Sequence, residues 1–462
     1  MNERPVITER ELDVQREYMR GVAGMQTRPE YYHIVTYGCQ MNSRDSEMIA
    51  GMLEEMGMHP CDAREDADLV LFNTCCVREN AQNKALGNVI WLKELKKDKP
   101  DMLICVGGCM TQEDGMAARI KASYPFVDVV FGTHNMHKLP EYLHDRIISG
   151  APVVEVLDID GAIVEGLPER RGSQFSSFVN IMYGCDNFCS YCIVPFVRGR
   201  ERSREPDAIL DEARRLVDAG AKEITLLGQN VNSYRGGGAA FAELLYQLDR
   251  LGVPRIRFMT SHPKDLSDEL IAAYGELPRL MPALHLPVQS GSDEILLRMN
   301  RMYDRAHYLD LVSRLRKARP EIGLTTDIIV GFPGETDAQF EDTMSLACDV
   351  RFDAAFTFIY SPRKGTLAAD YPDDTPAAVK SERIQRLIDS IQTTAGEILK
   401  AQVGKIETAL VESVSARGDG AVAGKTPRGH MVNFPGNPSL IGGFSEVEII
   451  STGKNTLRGR LI

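Results

Sequence analysis

The chain has 462 residues, 43% hydrophobic and 26% charged, with a formal net charge of −12. That is a length of about three domains and a composition able to bury cores, which excludes disorder throughout; the acidic balance argues against a non-specific nucleic-acid binder. No apolar run approaches the ~18 residues that span a bilayer, the charged opening MNERPVITERELDVQREYMRG lacks the apolar stretch of a secretory leader, and ten cysteines are too dilute for a disulfide scaffold. A cytoplasmic protein with metal or redox chemistry at clustered cysteines is expected.

Residues 1–29 are polar and read as an N-terminal extension, partly helical. Over 30–150 the apolar runs YYHIVTYG, ADLVLFN, DMLICVGG and VDVVFGT alternate with amphipathic stretches such as SRDSEMIAGMLEEMG and TQEDGMAARIKASYP. This βαβαβαβ string predicts an α/β unit with a mainly parallel sheet. Residues 151–173, rich in Gly, Pro and charge, read as a linker or a strand-bearing connection. Over 174–400 six more strand candidates follow: SSFVNIMYG, EITLLGQNV, RIRFMTSHP, PALHLPVQS, GLTTDIIVGFPG and AAFTFIYSP. With helices between them they suggest a partial (β/α)6 barrel of the TIM type. Residues 401–462 are Gly-rich with short alternating runs, the pattern of a small β-barrel of OB-like size.

Cys185, Cys189 and Cys192 form CxxxCxxC directly after the first barrel strand. Three thiolates on one tight loop hold three irons of a cubane iron–sulfur cluster and leave the fourth open to a substrate. Zinc fits less well, because no fourth Cys or His lies close by. Cys39, Cys75 and Cys109 each end a strand of the first α/β unit. In a parallel sheet those ends share one edge, the edge where α/β ligands bind, so the three are candidates for a second cluster. Gly38, Gly107 and Gly108 permit close backbone approach there. Spacing alone does not choose between Cys75 and Cys76; Cys61, Cys105 and Cys348 read as structural. Gly228, Gln229, Asn230, Ser261, His262, Gln289, Ser290 and Asp327 lie at or near C-terminal strand ends of the barrel, where catalytic residues concentrate. His285 alternates with apolar residues and reads as a satisfied core histidine.

Basic residues are less specific. Arg198, Arg200, Arg202 and Arg204 alternate with Glu201 and Glu205, as a self-paired solvated segment or as contacts to cofactor or nucleic-acid phosphate. Residues 401–462 carry seven Lys and Arg (Lys405, Arg417, Lys425, Arg428, Lys454, Arg458, Arg460) against five Asp and Glu (including Asp419), about +2, leaving −14 for the rest. A basic end on an acidic body fits a local RNA contact. Phe434, near Lys425 and Arg428, is a candidate to stack on a base and equally a candidate for the core.

CxxxCxxC after the first strand of a partial barrel, with the aromatic Tyr191 before the third cysteine, resembles the radical S-adenosylmethionine (SAM) enzymes. Two cysteine triads followed by a β-module resemble, over about residues 30–462, the methylthiotransferases of that superfamily. The motifs NTCCVRENAQNK, GCDNFCSYCIVPFVRGRERSR, LLGQNVNSY, TSHPKD, LHLPVQSGSDEILLRMNRMY and TDIIVGFPGET resemble the bacterial MiaB-type group, although Cys76 stands where Ser or Thr is usual. The resemblance implies two 4Fe-4S clusters, on Cys185, Cys189 and Cys192 and on Cys39, Cys75 and Cys109, the Asn-Thr before Cys75 selecting it over Cys76. It implies SAM contacts from Tyr191, Gly228, Gln229, Asn230, Ser261, Gln289, Ser290 and Asp327, and an RNA-binding TRAM domain at the end. The implied reaction is methylthiolation of carbon 2 of isopentenyladenosine beside the tRNA anticodon, with SAM as methyl donor and as source of the 5′-deoxyadenosyl radical. The expected partners are a tRNA anticodon stem–loop, touched by Arg198, Arg200, Lys425, Arg428 and Phe434, and a flavodoxin- or ferredoxin-like electron donor. A monomer with no membrane association is expected. The rivals are methylthiolation of threonylcarbamoyladenosine or of a ribosomal-protein aspartate, and an iron–sulfur RNA-binding sensor that turns nothing over.

Overall fold

A computed structural model of the chain describes residues 7–76, 79–157, 162–416, 418 and 420–462. Val77 and Arg78 of the NTCCVRENAQNK motif, residues 158–161 of the expected linker, and Arg417 and Asp419 of the C-terminal charge set lie outside them. Two compact units result. One comprises Met1–Gly172, Met182–Phe188 and Cys192–Arg202, the other Ser173–Ile181, Cys189–Tyr191 and Ser203–Ile462.

In the first unit the strands β1 (Tyr31–Thr36), β2 (His59–Pro60), β3 (Leu69–Thr74), β4 (Leu103–Gly108), β5 (Val129–Phe131) and β6 (Val153–Glu155) form one sheet in the order β2-β1-β3-β4-β5-β6. Every pairing is parallel. β3 and β4 are buried along their whole length, as central strands covered on both faces must be. The four runs read from the sequence are β1, β3, β4 and β5; of the two short edge strands, β2 was not legible, being too brief to alternate, and β6 answers the strand-bearing alternative for residues 151–173. The last of them, β6, lies in the expected linker.

The N-terminal extension is part of this unit rather than an appendage. Its helix α1 (Glu9–Ala23) opens with Thr8 and Glu11 in a reciprocal capping box and buries Leu12, Met19 and Val22. Met19 and Val22 join the core with Leu53 of α2 (Gln40–Glu55) and Leu143 of a helix at Leu139–Ser149. The segment 192–202 also belongs here: Ile193 and Val197 sit in the same apolar cluster as Val106, Met110 and Val130, and Thr133 Oγ1 donates to the Val197 carbonyl (2.6 Å).

In the second unit all six expected barrel strands form, as two three-stranded parallel sheets. Ser176–Asn180, Glu223–Leu227 and Arg255–Phe258 make one; Ala283–His285, Gly323–Val330 and Ala354–Ile359 make the other. A parallel bridge between Ile256 and Leu280 carries the order from one sheet toward the next. Strands Ile406–Val414, Ala421–Lys425, Met431–Pro435, Leu457–Leu461 and Phe444–Thr452 then close a five-stranded barrel around Ala409, Val411, Val422, Val432, Phe434, Val447 and Ile449.

This small barrel docks on the ends where the large barrel's strands begin. Arg255, the first residue of its strand, donates to the carbonyls of Lys425 (2.9 Å) and Thr408, and stacks over Phe444. Arg257 donates to the Thr426 carbonyl (2.9 Å) and is held by Glu223 (2.7 Å). Asp353, just before the sixth strand, takes both arms of Arg428 (2.6 and 3.0 Å) and contacts His430 Nε2 (3.0 Å). Burial raises the Asp353 pKa, but His430 and Arg428 outweigh it and hold the carboxyl below its ordinary value. Its contribution to stability is therefore complete above the unfolded value of ~3.9 and is lost as pH falls through the lower folded value. Asp353→Asn should destabilise the second unit by about 3 kcal/mol at pH 7. In urea titrations the gap from wild type should close toward pH 3; an equal gap at both pH values would contradict the clasp.

Candidate active site

The C-terminal ends of β1, β3 and β4 bring one triad together. Thr36 pairs with Asn73, and Thr74 with Gly108, so the residues that follow emerge side by side. Gly38 lies so close to Cys75 that a Cβ on it would sit 2.9 Å from the Cys75 Cβ, and its φ of +132° suits glycine alone. The Cys109 amide donates to the Thr74 carbonyl (2.8 Å). A buried amide pair locks these ends: Asn42 Nδ2 donates to Asn73 Oδ1 (3.2 Å) and Asn73 Nδ2 to the Asn42 carbonyl (2.8 Å). Asn42 Oδ1 also accepts from the Cys39 amide (3.4 Å).

The thiols there differ. Cys39 is open to solvent on one side but crowded on the others. Crowding raises its pKa, while Arg198 opposes the rise. Cys109 is buried, and its pKa is lowered by a hydrogen bond from Cys76 and by Arg198, against desolvation. Arg198 Nε donates to Cys109 Sγ (3.2 Å) and Arg198 Nη2 to Asp45 Oδ2 (2.6 Å). Cys76 is fully buried in the apolar cluster behind the sheet, and its pKa is raised, first by its bond to Cys109. Cys61 donates to the Tyr32 and Ala63 carbonyls, Cys105 lies inside β4, and exposed Cys348 touches Ser390 Oγ. None of the ten cysteines is in a disulfide.

The second triad lies on one loop. Gly184 enters it at φ +73°, where a Cβ would collide with the Arg200 carbonyl; the Cys185 amide donates to the Gly199 carbonyl (3.2 Å) and the Glu201 amide to Asp186 (2.9 Å). At Cys189–Tyr191, Ser190 is fixed by bonds to the carbonyls of Met299 (3.0 Å) and Arg298 (2.8 Å). Arg301 reaches Cys189 Sγ and Tyr191 Oη, both at 3.4 Å. Among the described residues no three Cys, His, Asp or Glu side chains converge as a single metal ion requires; a cubane seats each thiolate on its own iron.

The barrel's C-terminal strand ends carry buried polar atoms without hydrogen-bond partners among the described residues: both amide atoms of Asn180, Gln229 Oε1, Asn230 Oδ1, Asn232 Oδ1, Ser261 Oγ and His262 Nε2. Orphaned groups of this kind are costly unless a ligand satisfies them, and the set fits the polar amino-acid and ribose groups of SAM. His262 Nδ1 accepts from the Lys264 amide (3.2 Å), so the neutral ring carries its proton on Nε2. Burial, then Arg301 and Lys264, depress its pKa and keep it neutral.

Gln229, Asn230, Ser261 and His262 of the sequence reading are in this set; Asn180 and Asn232 were missed, a buried strand-end amide being indistinguishable in sequence from a turn residue. Gly228 is buried in the same turn, and buried Gln289 holds φ +71°. Ser290 is committed elsewhere, its hydroxyl held by Thr343 and the Ser292 amide. Asp327 is half-buried 3.7 Å from His285 Nε2, and His285 Nδ1 meets Thr325 Oγ1 (3.0 Å).

The expected RNA contacts need correction. Phe434 is 1% exposed in the small barrel's core and offers no stacking face. Arg428 is occupied by Asp353, and Arg198 is buried on Cys109 and Asp45. Lys425 is paired with Glu412 (3.1 Å). Arg200 is exposed, beside Asp186 and over the Phe188 ring. Lys454 and Arg458 are exposed.

Comparison with known proteins agrees with this geometry. Residues 179–347 match the radical SAM superfamily, residues 31–132 the uncharacterized protein family UPF0004, and residues 400–462 the TRAM domain. Two solved structures share the fold: the radical SAM methyltransferase TsrM of Kitasatospora setae (TM-score 0.53, 15% identical, 74% of each chain) and the cobalamin-dependent SAM radical enzyme OxsB (TM-score 0.50, 11% identical, 80% of this chain and 58% of that one). Fold and site define a radical SAM enzyme with a TRAM barrel.

Full-length relatives narrow the family. A tRNA-2-methylthio-N(6)-dimethylallyladenosine synthase of Clostridium botulinum (strain Langeland) is 49% identical over 93% of this chain and 97% of its own. One of Thermoanaerobacter sp. (strain X514) is 48% identical over 99% and 98%. The chain belongs to the family of the tRNA-2-methylthio-N(6)-dimethylallyladenosine synthases.

Because His262 stays neutral, SAM affinity should be flat between about pH 5.5 and 7, with no step near the ordinary histidine value of ~6.5. Equilibrium dialysis checks this; a step that disappears in His262→Asn would contradict it.

Proposed function

We propose that the chain joins a methylthio group to carbon 2 of N(6)-dimethylallyladenosine beside the tRNA anticodon, using SAM both as methyl donor and as radical source. The observation that carries this reading is the pair of cysteine triads, one following three parallel strands and the other on a single loop, in a chain 48–49% identical to synthases of that name. Cys185, Cys189 and Cys192 hold the radical SAM cluster; Cys39, Cys75 and Cys109 hold an auxiliary cluster. When bound, the first would supply one electron to the SAM sulfonium, breaking its sulfur–C5′ bond to give methionine and the 5′-deoxyadenosyl radical.

The chain's own residues do the rest. Asn180, Gln229, Asn230, Asn232, Ser261 and His262 present unpaired donors and acceptors that fix SAM in one pose, so that cleavage occurs in a set direction. Buried strand ends keep water from the radical. Arg198, anchored by Asp45, donates to Cys109 Sγ and favours its ligating thiolate form. The target base leaves its stack to reach such a recessed site. The RNA contact of the TRAM barrel falls to Lys454 and Arg458, because Arg428 and Phe434 are committed inside the protein. A low-potential flavodoxin- or ferredoxin-like donor and a cytoplasmic monomer complete the proposal.

The test offers the anaerobically reconstituted protein, SAM and reductant one stem–loop bearing dimethylallyladenosine and another bearing threonylcarbamoyladenosine. Nucleoside mass spectrometry should find methylthio on the first alone; gain on the second alone would overturn the substrate assignment. Binding of the first stem–loop should lose about one unit of log–log salt slope with each of Lys454→Ala and Arg458→Ala. In the ligand test, Cys75→Ala should lose one cluster's iron while Cys76→Ala keeps it, and the opposite pattern would make Cys76 the ligand.

A further inference from the structure

Arg301 is an unusual cation. It is 4% exposed, and no carboxylate among the described residues forms an ion pair with it. Its Nη2 donates to the Pro287 carbonyl (2.8 Å), its Nε to Tyr303 Oη (3.1 Å), and its Nη1 faces Tyr191 Oη and Cys189 Sγ. Tyr303 is itself fixed by a bond to the Val288 carbonyl (2.7 Å). Except for the sulfur, every partner is neutral. A buried charge without a counter-charge is strongly disfavoured, so its neutralising anion belongs at Cys189.

The backbone is bent to put it there. Asn300 and Met302, on either side of Arg301, hold φ of +57° and +59°, a left-handed conformation that non-glycine residues rarely adopt. Met302 is 73% exposed, so packing of its own side chain does not explain the strain. Two strained residues around one inward guanidinium mark a position held for its charge.

The other triad supplies a contrast. Arg198 also donates to a cysteine sulfur, but Asp45, 2.6 Å from it, cancels its charge. One triad thus faces a net positive side chain and the other a neutral pair.

We propose that Arg301 is a positioning residue that sets the reduction potential of the cluster bound through Cys189, its uncompensated charge stabilising the added electron and making this cluster easier to reduce. The inference rests on the ligand assignment proposed above. The step is electrostatic: one electron passes from a low-potential donor, which is oxidised by one electron, to the cluster; no bond forms or breaks and no proton follows.

The experiment uses the full-length Cys39→Ala/Cys75→Ala/Cys109→Ala variant, in which only the Cys185, Cys189 and Cys192 cluster remains. After anaerobic reconstitution, iron is counted and the reduced fraction is followed by electron paramagnetic resonance against Ti(III) citrate at stepped potentials, without SAM. Adding Arg301→Gln should lower the ratio of reduced to oxidised cluster about tenfold at a given potential, a shift of about 59 mV for a one-electron couple. Arg301→Lys, which keeps the charge, should stay within about threefold of the parent. An unchanged ratio in Arg301→Gln, with the parent's iron content, overturns the proposal, as does an unchanged ratio accompanied by a raised KM for SAM, which would make Arg301 a substrate contact instead. Should Arg301→Gln fail to take up iron, Arg301→Lys decides: a tenfold loss there overturns the charge argument. No iron in the parent variant overturns the ligand assignment, and this proposal with it.

Discussion

Parallel strands cannot be joined by tight turns. Each must be followed by a crossover that returns the chain to the starting edge, so every strand in such a sheet delivers its following loop to the same side. Both units of this protein are built under that constraint. In the first it brings Cys39, Cys75 and Cys109 to one edge, although they are 36 and 34 residues apart in sequence. In the second it gathers Asn180, Gln229, Asn230, Asn232, Ser261 and His262 at one rim. The Asn42–Asn73 amide pair and the close approach of Gly38 to Cys75 then turn a shared edge into a defined arrangement.

Burying charge is the second theme. Three arginines that the sequence reading left as solvated, cofactor-facing or RNA-facing are buried or clamped instead. Arg198 enters the core beside Cys109 with Asp45 as counter-charge, Arg428 clamps Asp353, and Arg204 is buried against Glu212 (2.8 Å). Arginine suits these positions because its planar fork reaches several acceptors at once.

The small barrel docks at one end of the large one and leaves the other end open. It sits where the large barrel's strands begin, whereas the orphaned polar groups stand where they end. A five-residue strand rises about 16 Å, so the docked face of the small barrel stands about that far from the orphaned polar groups.

The amino-acid sequence determined the alternation of strands and helices, the parallel architecture and the two candidate triads, because periodicity and cysteine spacing are local and survive without coordinates; the resemblance of its motifs added the family. The tertiary structure decided which charges are used and where. Arg301 in RMNRMYD looks like any solvated arginine, and only the left-handed turns at Asn300 and Met302 and the neutral groups around it show that it is buried and uncompensated. Phe434 alternates in a strand whichever way it faces; closure of the barrel turned it inward. Cys75 and Cys76 are neighbours in sequence, but folding sets Cys75 beside Gly38 at the sheet edge and Cys76 in the apolar cluster, hydrogen-bonded to Cys109. Burial, counter-charge and facing are relations between segments distant in sequence, and they come into being only when the chain folds.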